Sequence, residues 1–87
     1  MQYVYVLKSL KDDTLYTGCS SDLQQRIKLH NAGRVATTNK KFPYELLYYE
    51  AYKNKADAFT REKYLKTGWG RNYIKKVLSN TLRTQKN

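Results

Sequence analysis

The chain has 87 residues, 40% hydrophobic and 28% charged, which suits one small domain with one core and excludes a disordered composition. Seventeen Lys+Arg against seven Asp+Glu give a formal charge of +10, and residues 53–87 alone carry ten basic and two acidic side chains. Such a field favours a polyanion, nucleic acid first, although a basic protein kept soluble by its charge or a small ribosome-associated protein has the same balance. No apolar run approaches the roughly 18 residues of a membrane span, and no signal-peptide pattern is present. The single cysteine, Cys19, has no internal partner. A soluble, cytoplasmic protein with no membrane partner is the expectation.

Gln2 to Ser9 is rich in β-formers and apolar on both faces, so it reads as a central strand. Leu10 to Thr14 is a turn, and Leu15 to Gly18 returns as a short hairpin partner ended by the glycine. Ser21-Asp22-Leu23-Gln24 has the spacing of a capping box with Ser21 as the cap, which predicts a helix from Asp22 to about Ala32 stopped by Gly33. Arg34 to Pro43 is polar, basic and aperiodic, a loop. Tyr44 to Tyr52 predicts a third strand. Asn54 caps a second helix from Lys55 to about Thr67, closed by Gly68, and Trp69-Gly70 links it to a third helix from Arg71 to about Asn80. The fold class is therefore α+β, an α/β sandwich: a small, mainly antiparallel three-stranded sheet flanked by helices, in the order β-β-α-β-α-α. Residues 1–80 form the domain and 81–87 a frayed basic tail.

Glu62 is the most informative candidate for chemistry. It lies four after Ala58, three after Phe59 and three before Leu65, with Trp69 just beyond the helix, so it shares the apolar stripe. A carboxylate facing a core needs a cation or donors. A divalent metal satisfies it, and so does Arg26 or a tyrosine hydroxyl. Arg26 and His30, one helical turn apart, project together at the border marked by Leu23 and Ile27. The arginine suits a phosphate, and the histidine a proton or a hydrogen bond; an ordinary solvated basic face is the alternative. Of nine tyrosines, Tyr44, Tyr48, Tyr49 and Tyr52 are read as core or sheet surface. Tyr5 and Tyr16 lie on consecutive strands that can bring their hydroxyls together, and a phenol ionises near 10, so either needs a neighbouring cation to act as a base. There is no Cys/His cluster for zinc and no glycine-rich phosphate loop.

Tyr3-Val4-Tyr5 and Tyr16-Thr17-Gly18, followed by Arg26, His30 and Glu62, resemble the signature of the GIY-YIG nucleases. The likeness is greatest to the small stand-alone bacterial members, and extends to the domain found in excision-repair and homing endonucleases. It covers the chain from Gln2 to about Leu78, although the first triplet lacks the family's glycine and the second its isoleucine. Asn72, the one candidate for a further family asparagine, is too near Glu62 to be included. The resemblance implies hydrolysis of DNA phosphodiester bonds with one divalent ion, Mg²⁺ or Mn²⁺, anchored by Glu62. It makes Tyr16 the general base, Arg26 the stabiliser of transition-state charge, Tyr5 the group that positions water or phosphate, and His30 an aid to proton transfer or phosphate binding. A basic loop at Thr37, Thr38, Asn39, Lys40 and Lys41 and a helix face at Arg71, Lys75 and Lys76 would grip the nucleic-acid backbone. With no room for a recognition module, target choice is expected from a protein partner, a homo-oligomer or DNA shape. A catalytically weak or inactive nucleic-acid-binding protein, RNA- or ribosome-associated, is the rival reading.

Overall fold

The computed structural model describes residues 1–84 in the order β1 (Gln2–Ser9), β2 (Leu15–Ser20), α1 (Leu23–Asn31), β3 (Tyr44–Tyr52), α2 (Lys55–Leu65), α3 (Gly68–Val77) and α4 (Ser79–Thr84). The strands form one antiparallel sheet ordered β2-β1-β3. β1 is central, as a strand apolar on both faces must be. Val4 and Val6 enter a core with Ala58, Leu65, Ile74 and Leu78, while Tyr5 and Leu7 pack on the other face with Tyr44, Leu23 and Ile27. Thus α1 covers one face and α2, α3 and α4 the other, which is the expected α+β sandwich with one helix more.

β3 changes face partway along. Val6 pairs with Tyr48 but Leu7 pairs with Leu46, so Leu47 is an extra residue and the ladder is bulged there. Tyr44 and Leu46 therefore face α1, whereas Tyr48 and Tyr52 pack against the opposite core. There Glu50 receives the Tyr48 hydroxyl, the Tyr52 hydroxyl at 2.5 Å, and two Arg61 bonds at 2.9 and 3.1 Å. Burial pushes the Glu50 carboxyl up, but these donors outweigh it and hold it below the ordinary range. Arg61 also lies over the rings of Tyr64 and Tyr73. This brace fixes the rotation of α2 against β3. On that helix the buried line runs through Ala58 and Leu65, with Arg61 on one flank and Glu62 on the other.

Several boundaries differ from expectation, each for a local reason. β2 continues past Gly18 to Ser20. The α1 cap is Asp22, which accepts from the Gln25 amide at 3.1 Å, because the Ser20 hydroxyl takes the Asp22 amide and delays the helix by one residue. With glutamines at both 24 and 25, the sequence allows either register. Gly33 ends α1 as expected, at φ 71°, with the Arg34 amide bonded back to Leu29 and that of Gly33 to His30. Asn54 caps α2. That helix stops at Leu65 without help from Gly68, since Thr67 accepts the Gly70 amide and starts α3 at Gly68. Phe59 and Trp69, read as apolar-stripe positions, are exposed, Trp69 by 80%. α4 crosses the expected domain limit at residue 80, and Leu82 packs on the core. Residues 85–87 of the expected tail lie outside the described residues.

Gly70 sets how closely α3 docks. A Cβ there would stand 2.1 Å from the Tyr64 carbonyl oxygen and 2.4 Å from Leu65 Cα, whereas one at Gly68 would meet nothing within 4 Å. Gly70→Ala should therefore cost about 3 kcal/mol or more. Gly68→Ala, at the start of the helix, should be neutral or stabilising by up to about 1 kcal/mol. Urea denaturation of the two variants checks the pair; equal stabilities would contradict the close approach.

Candidate active site

Tyr5 pairs with Gly18 across β1 and β2. A Cβ at Gly18 would lie 2.4 Å from the Tyr5 hydroxyl oxygen and 2.5 Å from its ring carbon. The glycine thus leaves the space through which the Tyr5 ring crosses its neighbouring strand toward the sheet edge. The role could have been found in the sequence by counting back through the hairpin turn, but reading Gly18 as a strand terminator hid it.

His30, on α1, meets Tyr5 there: its Nε2 is 2.8 Å from the phenol oxygen and its Nδ1 2.7 Å from the Thr38 hydroxyl. The Arg26 guanidinium lies near enough to pull the Tyr5 phenol down against the effect of burial. The Thr38 hydroxyl donates to the Val35 carbonyl, which leaves its oxygen to accept from His30 Nδ1 and leaves His30 Nε2 to accept the Tyr5 proton. The histidine proton then sits on Nδ1 and goes to Thr38, whose hydroxyl faces the Val35 carbonyl at 3.4 Å. Burial, with the Arg26 charge beside it, pushes the His30 imidazole down to about 4. Burial likewise pushes the Tyr5 phenol up to about 12, against the opposing pull of Arg26. Both groups are neutral at ordinary pH.

Tyr16 completes this side. Its ring centroid is 5.1 Å from that of His30, edge to face, and 6.5 Å from that of Tyr5. Its hydroxyl receives the Thr37 hydroxyl at 3.4 Å. Arg26 is half-buried, and its Nε is, among the described residues, a buried side-chain nitrogen without a partner. Glu62 comes from the far side of the edge strand. Its charge is felt at Tyr5, and its Oε2 is 3.1 Å from Lys66 Nζ. Its side chain is 21% exposed, so it lies at the margin of the core and not within it. The Glu62–Lys66 spacing of four was visible in the sequence as a helical ion pair.

Two expectations for this cluster change. His30, expected at the border of core and solvent, is fully buried, with its Nε2 turned to the Tyr5 hydroxyl. Thr38, expected on the nucleic-acid face, is 1% exposed and committed to His30. The loop that carries it is tied down as well: Ser9 donates to the Lys41 carbonyl, Lys11 to that of Lys40, and Lys41 pairs with Asp12 at 3.1 Å. Asn39, Lys40 and Lys41 remain exposed beside it, as do Arg71, Asn72, Lys75 and Lys76 on α3.

A histidine whose folded value is about 4, against an ordinary 6.5, makes stability depend on pH. Above about 6.5 the imidazole is neutral in both states and the full stability is present; between there and about 4 only the unfolded chain takes the proton. Stability should therefore fall by about 2–3 kcal/mol as pH drops through that window. Denaturation midpoints against pH measure the slope, and His30→Gln should flatten it; an unchanged slope would contradict the neutral buried imidazole.

A model of the GIY-YIG catalytic domain matches residues 1–76. A UPF0213 protein of Clostridium perfringens is 48% identical over 67 residues, covering 76% of this chain and 71% of that protein. A UPF0213 protein of Streptococcus pyogenes serotype M3 is 46% identical over 61 residues, covering 69% of this chain and 65% of the relative. The chain thus spans just under two thirds of the streptococcal relative's length. The solution NMR structure of a UPF0213 protein from Bacillus halodurans matches with a TM-score of 0.54 at 30% identity, over 88% of this chain and 85% of that one. With the family signature matched across most of its length, the chain belongs to the GIY-YIG catalytic-domain family.

Proposed function

We propose that the protein is a cytoplasmic, metal-dependent endonuclease that hydrolyses DNA phosphodiester bonds, selecting structure or weak sequence features. The observation that carries this reading is the gathering of Tyr5, Tyr16 and Arg26 around one strand edge, with the charge of Glu62 acting on the same phenol. Two phenols, a partly unsatisfied guanidinium and one carboxylate suit an anionic phosphate better than any acyl or redox chemistry.

The donor set fits a hydrated Mg²⁺ or Mn²⁺. Such ions accept one protein carboxylate, keep several waters and share the substrate phosphate. Among the described residues no group of three or more His, Cys, Asp and Glu is placed to form a protein cage. Glu62 is the residue that would hold the ion, and it is partly open to solvent. When bound, the ion supplies positive charge to the scissile phosphate and the leaving 3′-oxygen.

The chain's own residues do the rest. Arg26 directs its N–H groups to the phosphate as negative charge accumulates on the oxygens. Tyr16 is the candidate base for the attacking water. Tyr5 stays a phenol, and His30 holds its proton in one direction, which fixes the lone pairs that orient water or phosphate. Asn39, Lys40, Lys41, Arg71, Lys75 and Lys76 contribute backbone contacts that position without reading sequence. Further selectivity comes from a protein partner, a second copy or DNA shape.

One observation favours the rival reading, a binding protein without turnover: Lys66 already neutralises Glu62. The two readings separate with Glu62→Gln. Labelled branched, single-stranded and duplex DNA, with RNA counterparts, should be cut in Mg²⁺ or Mn²⁺, not in EDTA. The variant should lose at least about 100-fold in rate while binding the same nucleic acids in EDTA. Binding without cleavage, identical in both proteins, would overturn the nuclease in favour of the binding module.

A further inference from the structure

On the side of β2 away from the Tyr5–His30 cluster, a cavity of about 500 Å³ opens between that edge strand and the α2–α3 junction. Its volume lies in the ordinary range of small-ligand sites, roughly 300–1,000 Å³. The close docking of α3 at Gly70 brings Ile74 beside Leu65, and these, with Val6 and Leu15, make an apolar floor. Lys66, Arg71 and Lys75 stand around it, and no acidic side chain lines the space. Lys76, one position on, does not line it, so the expected three-residue face of α3 is divided.

An apolar floor ringed by cations matches one common chemistry: a flat, weakly polar ring joined to phosphate. The cavity shares Tyr16 with the catalytic cluster, and Lys66, which lines it, also reaches Glu62. Thr17 lines it and carries a hydroxyl able to meet the edge of a base, whereas Thr14, also on the lining, donates its hydroxyl to Asp12 at 2.6 Å.

We propose that this cavity holds one unpaired nucleotide of the nucleic-acid substrate. The base lies on the floor of Val6, Leu15, Leu65 and Ile74, and the flanking phosphates meet Lys66, Arg71 and Lys75. The inference rests on the nuclease reading only for its place next to the bond that is cut. A paired and stacked base must first be extruded to enter, so the protein discriminates against continuous duplex and in favour of sites with a base already free. Binding energy from the floor is what a duplex forgoes, whereas the cations serve both.

The test is fluorescence anisotropy in EDTA with a labelled duplex, the same duplex carrying one unpaired thymidine, and the same duplex with a one-nucleotide overhang. The unpaired nucleotide should tighten binding at least about tenfold. Leu15→Glu puts a charge on the floor at a partly exposed position, and Arg71→Gln with Lys75→Gln changes exposed side chains; thermal melts verify that both proteins fold. Leu15→Glu should erase the preference, and the double variant should weaken binding to all three DNAs. Amide shifts at Thr17 and Ile74 on titration with thymidine 5′-monophosphate should exceed those with inorganic phosphate. Equal affinity for all three DNAs, a preference that survives Leu15→Glu, or equal shifts with phosphate alone would each overturn the assignment. Since no turnover is needed, metal-dependent cutting with no preference sinks the cavity and spares the nuclease, and preference without cutting does the reverse.

Discussion

Tyr5 reaches the strand edge by lying across Gly18, and most of the candidate site's geometry depends on that crossing. A side chain at position 18 would occupy the place of the phenol ring. With the space open, a residue from the central strand presents its hydroxyl near the sheet edge while its ring stays in the core, 1% exposed. His30 and Thr38 then form a buried line of hydrogen bonds behind it, with the Arg26 charge nearby. In a low-dielectric interior such a line must be complete, because an unpaired member would cost about 1–3 kcal/mol. Completeness is what gives the chain of donors a direction.

The other half of the site comes from the opposite face of the sheet. The Glu50–Arg61 brace sets the rotation of α2, and one residue later Glu62 emerges on the opposite flank of the buried line. The site therefore straddles an edge strand, fed by α1 on one side and α2 on the other. This explains how a chain of 87 residues can gather two phenols, a guanidinium and a carboxylate without a long active-site loop. The overall charge of +10 acts on top of this arrangement. A field of that sign favours a polyanion over other partners.

Much of the fold was legible because its signals are local. The doubly apolar β1, the Asn54 cap and Gly33 each carry their own physical reason within a few residues. Family membership was legible too, in the order of Tyr5, Tyr16, Arg26, His30 and Glu62. What escaped were features that exist only between distant segments. The bulge at Leu47 reverses which tyrosines of β3 face α1, and nothing in the strand's composition marks it. Thr38 reads as a polar loop residue until His30, eight positions earlier, is seen to need an acceptor. Glu62 reads as core-facing from the helix wheel, yet the core ends beside it and Lys66 takes the carboxylate.

The Tyr5–His30–Thr38 line has one direction, with the phenol proton pointing to His30. Long-range ¹H–¹⁵N correlation of the His30 imidazole at neutral pH tests it directly. A single neutral tautomer is expected, with the proton on Nδ1 and Nε2 bare, facing the Tyr5 hydroxyl. A proton on Nε2, or a charged ring at that pH, would reverse the line and contradict the role given to Tyr5.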